Sequence, residues 1–345
     1  MLALVKTKKG VGNIELREVD EPINGDNEVL IEVKSAGICG TDIHIKHDKF
    51  PYWPPVILGH EYAGEIVKVG KNVKNYKVGD RVVGEPHTKA CGVCYLCRTG
   101  NIQICPDKRS PGWGIDGAFT KYLVTPEHLL HKIPENVSYD EAALVEPTSN
   151  VVHDVLERAK VEPEDFVVVF GPGPIGLLAA QVAKASGARY VIIAGINNDE
   201  EIRLKTAREL NIDEVINVEK IDLVQRVMSL TNNIGADLVV DASGSEKAIK
   251  TGINILRKKG RFCAIGMAGN EEINFPYNKA MFKVLDVIFC LSTSYTSWER
   301  SLSLISRGAI NVKKVISHIE PLTNWEKAFK LIEEQKALKV ILKPI

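Results

Sequence analysis

Cys91, Cys94, Cys97 and Cys105 fall inside one fifteen-residue run, CGVCYLCRTGNIQIC. Thiolates at that spacing can close a tetrahedral cage around a single metal ion, and zinc is the ion such cages hold. A cage of this kind leaves no open coordination position, so its expected contribution is folding energy rather than chemistry. A second constellation precedes it by about thirty residues: Cys39-Gly-Thr41-Asp42-Ile-His44, then Gly59-His60-Glu61. Cys39, His60 and Glu61 offer thiolate, imidazole and carboxylate, a mixed set that also suits zinc. Where one position stays open, the ion is a Lewis acid that lowers the pKa of an alcohol and favours the alkoxide, the species from which hydride departs. The Thr41 hydroxyl is placed to carry the alcohol's proton away, and His44 to pass it to solvent. Asp42 is expected to accept a hydrogen bond from the far nitrogen of His60.

A third motif, Gly171-Pro-Gly173-Pro174-Ile175-Gly176, follows the apolar run DFVVVF and opens a helical pattern. A GxGxxG run is informative only in that strand-to-helix context. Its glycines serve a tight turn, close approach of backbone to a pyrophosphate, and close helix–strand packing, with the helix N-terminus facing the phosphates. An acid that binds ribose hydroxyls is expected at the end of the following strand, about 20 residues on. This chain has IIAGINNDEE there, with Gly195 in the acid's place and Asp199, Glu200, Glu201 and Arg203 close behind. Loss of the acid removes repulsion against a 2′-phosphate and Arg203 can pair with one, while Asp199 can still swing into the acid's role. NAD and NADP are therefore both open.

The elements that must position these groups change character along the chain. Up to about residue 145, short β-rich runs such as EVLIEVKSAG, AGEIVKVG and DRVVGE are separated by Gly, Asn, Asp and Pro, which predicts an irregular, barrel-like β domain. The stretch SYDEAALVEPTSNVVHDVLERAKV is expected to be helical, with Ser138 and Asp140 as caps. From 165 to about 290, apolar strands alternate with amphipathic helices, including KAIKTGINILRKKG as a helix and RFCAIGM and VLDVIFCLS as strands. That alternation predicts an α/β unit with a doubly wound parallel sheet. The remainder is expected to return to the first domain, giving 1–148 with 294–345 as one domain and 149–293 as the other.

Composition narrows the function classes. The chain has 345 residues, 45% apolar and 26% charged, with 44 basic and 44 acidic side chains. Balanced charge argues against a nucleic-acid partner. No stretch reaches the ~18 unbroken apolar residues of a membrane span, and MLALVKTKKG lacks a signal-peptide core, so the expected location is cytoplasmic. Seven cysteines in a reducing compartment read as metal ligands sooner than as disulfides, although a disulfide within Cys91 to Cys105 is the alternative. Cys263 and Cys290, in RFCAIG and VIFCLS, are expected to be buried small hydrophobes.

The motifs together resemble those of the zinc-containing, medium-chain alcohol and polyol dehydrogenases. GHEYAGEIVKVG matches that family's zinc motif, CGTDIH its first ligand and proton relay, the four-cysteine lobe its structural zinc, and VFGPGPIG its cofactor loop. The resemblance spans the whole length. It implies a GroES-like β domain plus a Rossmann domain, two zinc ions per chain, NAD or NADP, and a homo-oligomer, with a tetramer favoured. By position it makes Cys39 and His60 zinc ligands, Glu146 of LVEPTSNVVH the third, and Glu61 a ligand that exchanges with water or substrate. Glu146-Pro147 is shared with sorbitol and other polyol dehydrogenases, which favours a polyol or other secondary alcohol as substrate. Related threonine 3-dehydrogenases share GTD-x-H and the four cysteines, so a 3-hydroxy amino acid is the runner-up. A sugar-alcohol phosphate would need a cationic pair, for which Lys89 and Arg109 are candidates. A non-enzymatic metal- or nucleotide-binding protein is the alternative from another class. Phe50, Tyr52, Trp53 and the segment Trp113 to Asp116 are candidate pocket residues. The apolar strand DVIFCLS is expected to pair edge to edge with a second copy.

Overall fold

The computed structural model describes residues 1–345. Its strands, in chain order, are β1 (Leu2–Lys6), β2 (Ile14–Glu18), β3 (Glu28–Gly37), β4 (Val56–Ile57), β5 (Glu61–Val69), β6 (Arg81–Gly84), β7 (Tyr122–Pro126) and β8 (Leu130–Lys132). There follow β9 (Phe166–Phe170), β10 (Tyr190–Gly195), β11 (Glu214–Asn217), β12 (Ala236–Asp241), β13 (Leu256–Ala264), β14 (Asp286–Phe289), β15 (Ile316–Pro321) and β16 (Lys339–Lys343). The chain divides into two compact units, Met1–Glu146 with Thr293–Ser306 and Ile316–Ile345, and Pro147–Ser292 with Arg307–Val315.

The first unit carries a sheet in the order β15-β16-β3-β5-β6-β8, with β7 also paired to β3, and a small sheet β2-β1-β4. Burial alternates along β3, whose Val29, Ile31 and Val33 are in the core while the residues between them are half-exposed; this is the period-2 pattern of a sheet with one covered face. Tyr62, Ile66, Val82, Phe119 and Phe329 complete that core.

The second unit is a six-stranded parallel sheet in the order β11-β10-β9-β12-β13-β14. Its central strand, β9, is FVVVF and is buried at every position, as expected of a strand covered on both faces. The helix Pro174–Ala185 connects β9 to β10. The fold class is thus the anticipated one, a β-rich domain joined to a doubly wound α/β unit.

Three details differ from the sequence expectation. The helix in KAIKTGINILRKKG stops at Ile255, and β13 begins at Leu256. There the backbone turns extended, the side chain enters the core, and the residue pairs with Ala236. The stretch after Ser138 is broken into Tyr139–Ala142, Val145–Val151 and a wider π turn, Val152–Arg158, although Ser138 does cap it through a capping box with Glu141. Finally, Arg307–Val315 lies with the second unit rather than in a single 294–345 block. Hydrogen bonds hold it there: Asn311 N–H donates to Gln181 Oε1 at 2.7 Å, and Lys314 Nζ donates to the Glu209 carbonyl at 2.6 Å.

Candidate active site and metal centres

Cys39 is the N-cap of the short helix Gly40–Lys46, and His60 and Glu61 open β5. One donor atom from each of Cys39, His60 and Glu61 lies within 4.8 Å of the other two. His60 and Glu61 are buried, and His60 Nδ1 has no hydrogen-bond partner, a costly arrangement unless something else satisfies the nitrogen. Burial alone would lower the His60 pKa. The Cys39 thiolate, Asp42 and Glu146 outweigh it and push the value up to about 10. Negative charge therefore converges on a buried imidazole, and the donor set fits a zinc ion.

Asp42 does not make the expected bond to His60. It is fully buried, and its carboxylate accepts from Cys39 N–H at 2.9 Å and from Gly59 N–H at 3.3 Å. Asp42 thus ties the helix start to the loop carrying His60 and acts on the imidazole only through its charge. Thr41 Oγ1 lies 3.7 Å from Cys39 Sγ. His44, three residues further along the same helix, faces the same side. Burial, with Lys49 and His47 as cationic neighbours, holds His44 below the usual histidine pKa, so it is a neutral proton acceptor near pH 7.

The partner of Glu61 is distant in the chain and barely marked in the sequence. Lys339, in β16, is buried and donates to Glu61 Oε1 at 2.8 Å, to Oε2 at 2.7 Å, and to the Ile38 carbonyl at 3.0 Å. The only signal was a lysine opening the otherwise apolar run KVIL. Gly37 pairs with Glu61 across the β3–β5 ladder, and a Cβ on it would lie 2.2 Å from Glu61 Oε2; glycine is what lets the carboxylate lie over β3. Glu146 is buried in the first turn of Val145–Val151, and its charge acts on His60 and Lys339. Lys108, also missed, follows the cysteine lobe. Burial pushes its amine down to about 8, against the pull of Glu146 and Cys105.

The four lobe cysteines are free thiols, so the disulfide alternative does not hold. The Cys91–Cys97 and Cys94–Cys105 sulfurs are each 3.9 Å apart. A tetrahedron with Zn–S bonds of ~2.3 Å has edges of ~3.8 Å, so the cage fits zinc. Backbone N–H groups of Cys94 and Cys97 point at the sulfurs of Cys91 and Cys94, at 3.4 and 3.5 Å. The Cys94 and Val93 amides hold the Cys91 thiol down to about 7.

In the second unit, Gly171 adopts φ +88° after β9. Gly173 caps the helix Pro174–Ala185 without a side-chain bond, and Pro174 and Ile175 form its first turn. A Cβ on Gly176 would meet the Gly171 carbonyl at 1.8 Å, whereas one on Gly173 would meet nothing within 4 Å. The turn is closed where packing requires it and open where a pyrophosphate would approach. Gly195 ends β10, and a Cβ there would lie 2.7 Å from the Pro172 ring, so an acid has no room at this position. Asp199 is not swung outward. It is buried, accepts from Ile196 N–H at 3.0 Å and pairs with Arg203 Nη1 at 2.9 Å. Arg203 Nε is buried without a partner.

The pocket candidates separate. Tyr52 is buried: its hydroxyl donates to Asp48 and accepts from Gly10 N–H, so it anchors loops rather than lining a pocket. Phe50, Trp53 and Trp113 cluster, with ring centroids 5.7 and 5.9 Å from Trp113. Arg109 lies over Trp53 at 3.9 Å, and its backbone pairs with that of Lys89. Asp116 accepts from Ile57 N–H at 2.9 Å.

Comparison with known proteins agrees with this reading. Residues 25–135 match the alcohol dehydrogenase GroES-like domain, and residues 174–307 match the zinc-binding dehydrogenase domain. The chain is 41% identical to a sorbitol dehydrogenase of Halalkalibacterium halodurans, over all of both chains. It is 34% identical to D-arabitol-phosphate dehydrogenase of Enterococcus avium, covering 99% of this chain and 97% of that one. It is 37% identical to L-threonine 3-dehydrogenase of Pyrococcus horikoshii, covering 99% and 98%. Among solved structures, a zinc-binding dehydrogenase of Sinorhizobium meliloti bound to NADP superposes with a TM-score of 0.92 at 27% identity, covering 99% of each chain. An Escherichia coli alcohol dehydrogenase complexed with NADH gives 0.89 at 28%, again covering 99% of each. The chain belongs to the zinc-containing medium-chain alcohol dehydrogenase family, and is a zinc-dependent, NAD(P)-linked enzyme acting on CH–OH groups.

Proposed function

We propose that the substrate is a polyol or other secondary alcohol, oxidised where Cys39, His60 and a carboxylate from Glu61 or Glu146 hold a catalytic zinc. In the same reading, Cys91, Cys94, Cys97 and Cys105 hold a structural zinc. The observation that carries it is the meeting of thiolate, imidazole and carboxylate donor atoms of Cys39, His60 and Glu61 within 4.8 Å of one another, with His60 and Glu61 buried. Polyol specificity draws support from the sorbitol and arabitol-phosphate dehydrogenases among the relatives. When bound, the metal supplies Lewis acidity at the alcohol oxygen and the nicotinamide accepts the hydride.

The chain's own residues do the rest. Thr41 Oγ1, beside Cys39, takes the alcohol's proton, and His44, kept neutral by burial, relays it outward. Lys339 engages both oxygens of Glu61, which favours Glu146 as the resting third ligand and Glu61 as the one that exchanges. Gly171, Gly173 and Gly176 cradle the pyrophosphate at the start of the helix Pro174–Ala185. With Gly195 in the acid's place no carboxylate at that position repels a 2′-phosphate, and Arg203, whose Nε has no partner, supplies positive charge, so NADP is accepted as well as NAD. Parallel turnover assays with the two cofactors test that reading.

Metal analysis and turnover test the site together. The enzyme is expected to carry about two zinc ions per chain, and Cys39→Ser to keep one and lose activity. Undiminished activity in Cys39→Ser overturns the assignment. A panel of polyols, sugar-alcohol phosphates, threonine and short secondary alcohols tests the substrate. Preference for threonine would replace the polyol reading with the threonine 3-dehydrogenase one, which the 37% identical relative favours. Preference for a phosphorylated sugar alcohol would direct attention to Lys89 and Arg109.

A further inference from the structure

Cys263 and Cys290 lie in separate apolar runs of sequence, but the sheet brings them together. β13 and β14 run parallel, with Cys263 opposite Ile288. Cys290, two residues beyond Ile288, therefore projects from the same face, and the two sulfurs are 3.7 Å apart. A disulfide bond is ~2.05 Å long, so closure asks for an approach of about 1.7 Å shared between two side chains. The environments of the two thiols are unequal. Cys263 is fully buried, with its sulfur 3.6 Å from the Asp154 carbonyl. Cys290 is only half-buried, contrary to the sequence expectation, because it lies just past the end of the edge strand β14. Arg158 donates to the Phe289 carbonyl at 2.9 Å, next to Cys290. The Cys263 S–H and the Arg158 guanidinium together hold the Cys290 thiol down to about 7; the same sulfur–sulfur hydrogen bond, with burial, pushes Cys263 up. A half-buried sulfur with thiolate character beside a shielded one is the arrangement of an attacking thiol and its resolving partner.

We infer that Cys263 and Cys290 are a redox modification site, closing to an intramolecular disulfide when a small-molecule disulfide reaches the half-buried Cys290 sulfur, which projects from the face of the sheet and not along the edge where a second copy would pair. The Cys290 thiolate attacks one sulfur of R–S–S–R, forming a mixed disulfide and releasing RS⁻, which takes up a proton. Cys263 then gives its proton to water and attacks the Cys290 sulfur, expelling the second RS⁻. The chain loses two electrons and two protons, and R–S–S–R gains both and leaves as two thiols. The product bolts β13 to β14. Cys39 and the four-cysteine lobe belong to the other compact unit, so the exchange is separable from metal loss.

The test uses the zinc-loaded full chain, incubated with oxidised glutathione, alkylated and mapped by peptide mass spectrometry. The expected product is one peptide pair joined through residues 263 and 290, with Tm raised by several degrees and restored by a thiol reductant. Zinc content should stay unchanged. Cys263→Ser should stop at a glutathione adduct on Cys290, and Cys290→Ser should take up none at Cys263. Two alkylated cysteines in the treated native chain, or a cross-link that forms only after denaturation, overturn the inference. Should Cys263→Ser fail to fold, the wild-type peptide map still decides.

Discussion

Lys339 shows how one residue alters the reading of a site. Its ammonium and the Glu61 carboxylate are both buried, with 5% and 1% side-chain exposure. Each charge depends on the other, because an unpaired buried ion is expensive. Lys339→Met should therefore cost the metal-free chain ~3 kcal/mol. With zinc present the loss should be smaller, since the released carboxylate can turn to the metal. Calorimetry with and without zinc checks this: the zinc-induced rise in Tm should be larger in the variant than in the wild type. Equal rises would mean that Glu61 does not exchange onto the metal. The ligand types themselves were legible, because thiolate, imidazole and carboxylate announce themselves by chemistry and spacing. Their supports were not. Lys339 is 278 residues from Glu61, and no local pattern encodes a partner that only the sheet order β16-β3-β5 brings near.

Among the elements, the alternating strands and helices of the second unit were read almost whole, since an apolar strand such as β9 followed by a glycine-rich turn leaves few choices. Where the register failed, at Leu256, tertiary pairing overrode a continuous helical pattern. The β-rich unit hid a polar cluster that periodicity cannot reveal. His131 of β8 sits between Glu85, at 2.9 Å, and Glu299 of the helix Tyr295–Ser306, and its ring stacks on Trp298. His87 lies 3.5 Å from the same Glu85 and 3.0 Å from Thr293 Oγ1. Burial disfavours the imidazolium of His131, but Glu85 and Glu299 outweigh it and raise its pKa above 6.5. The stabilisation this gives is complete below the unfolded histidine pKa and is lost as pH climbs through the raised folded value. The Tm gap between wild type and His131→Gln should accordingly be widest near pH ~6 and narrow toward pH ~9. A gap that widens with pH would contradict the pairing.

For the whole molecule, the question is what covers the open edge of the parallel sheet. β14 ends the six-strand order, and Phe289 is 73% exposed, with Leu291 two residues on and Phe282 at the end of the preceding helix also exposed. A second copy pairing along that edge would bury this patch and satisfy the strand's free backbone groups. Phe289→Glu should then shift the sedimenting species down to the 38.0 kDa monomer, while a wild type already at that mass would remove the homo-oligomer proposal. The first unit also has an unusual relation to time. Its metal-facing loop is made early, yet the lysine that neutralises Glu61 belongs to β16, after the entire second unit. On the ribosome, the nascent chain must therefore carry an uncompensated carboxylate while roughly 280 further residues emerge. The nucleotide-binding half, Pro147–Ser292 with Arg307–Val315, has all of its residues in the nascent chain before β16 is made and can mature first. The catalytic half finishes only when β16 slots in beside β3, so a stalled or truncated translation product would hold a folded cofactor domain next to an unfinished metal centre.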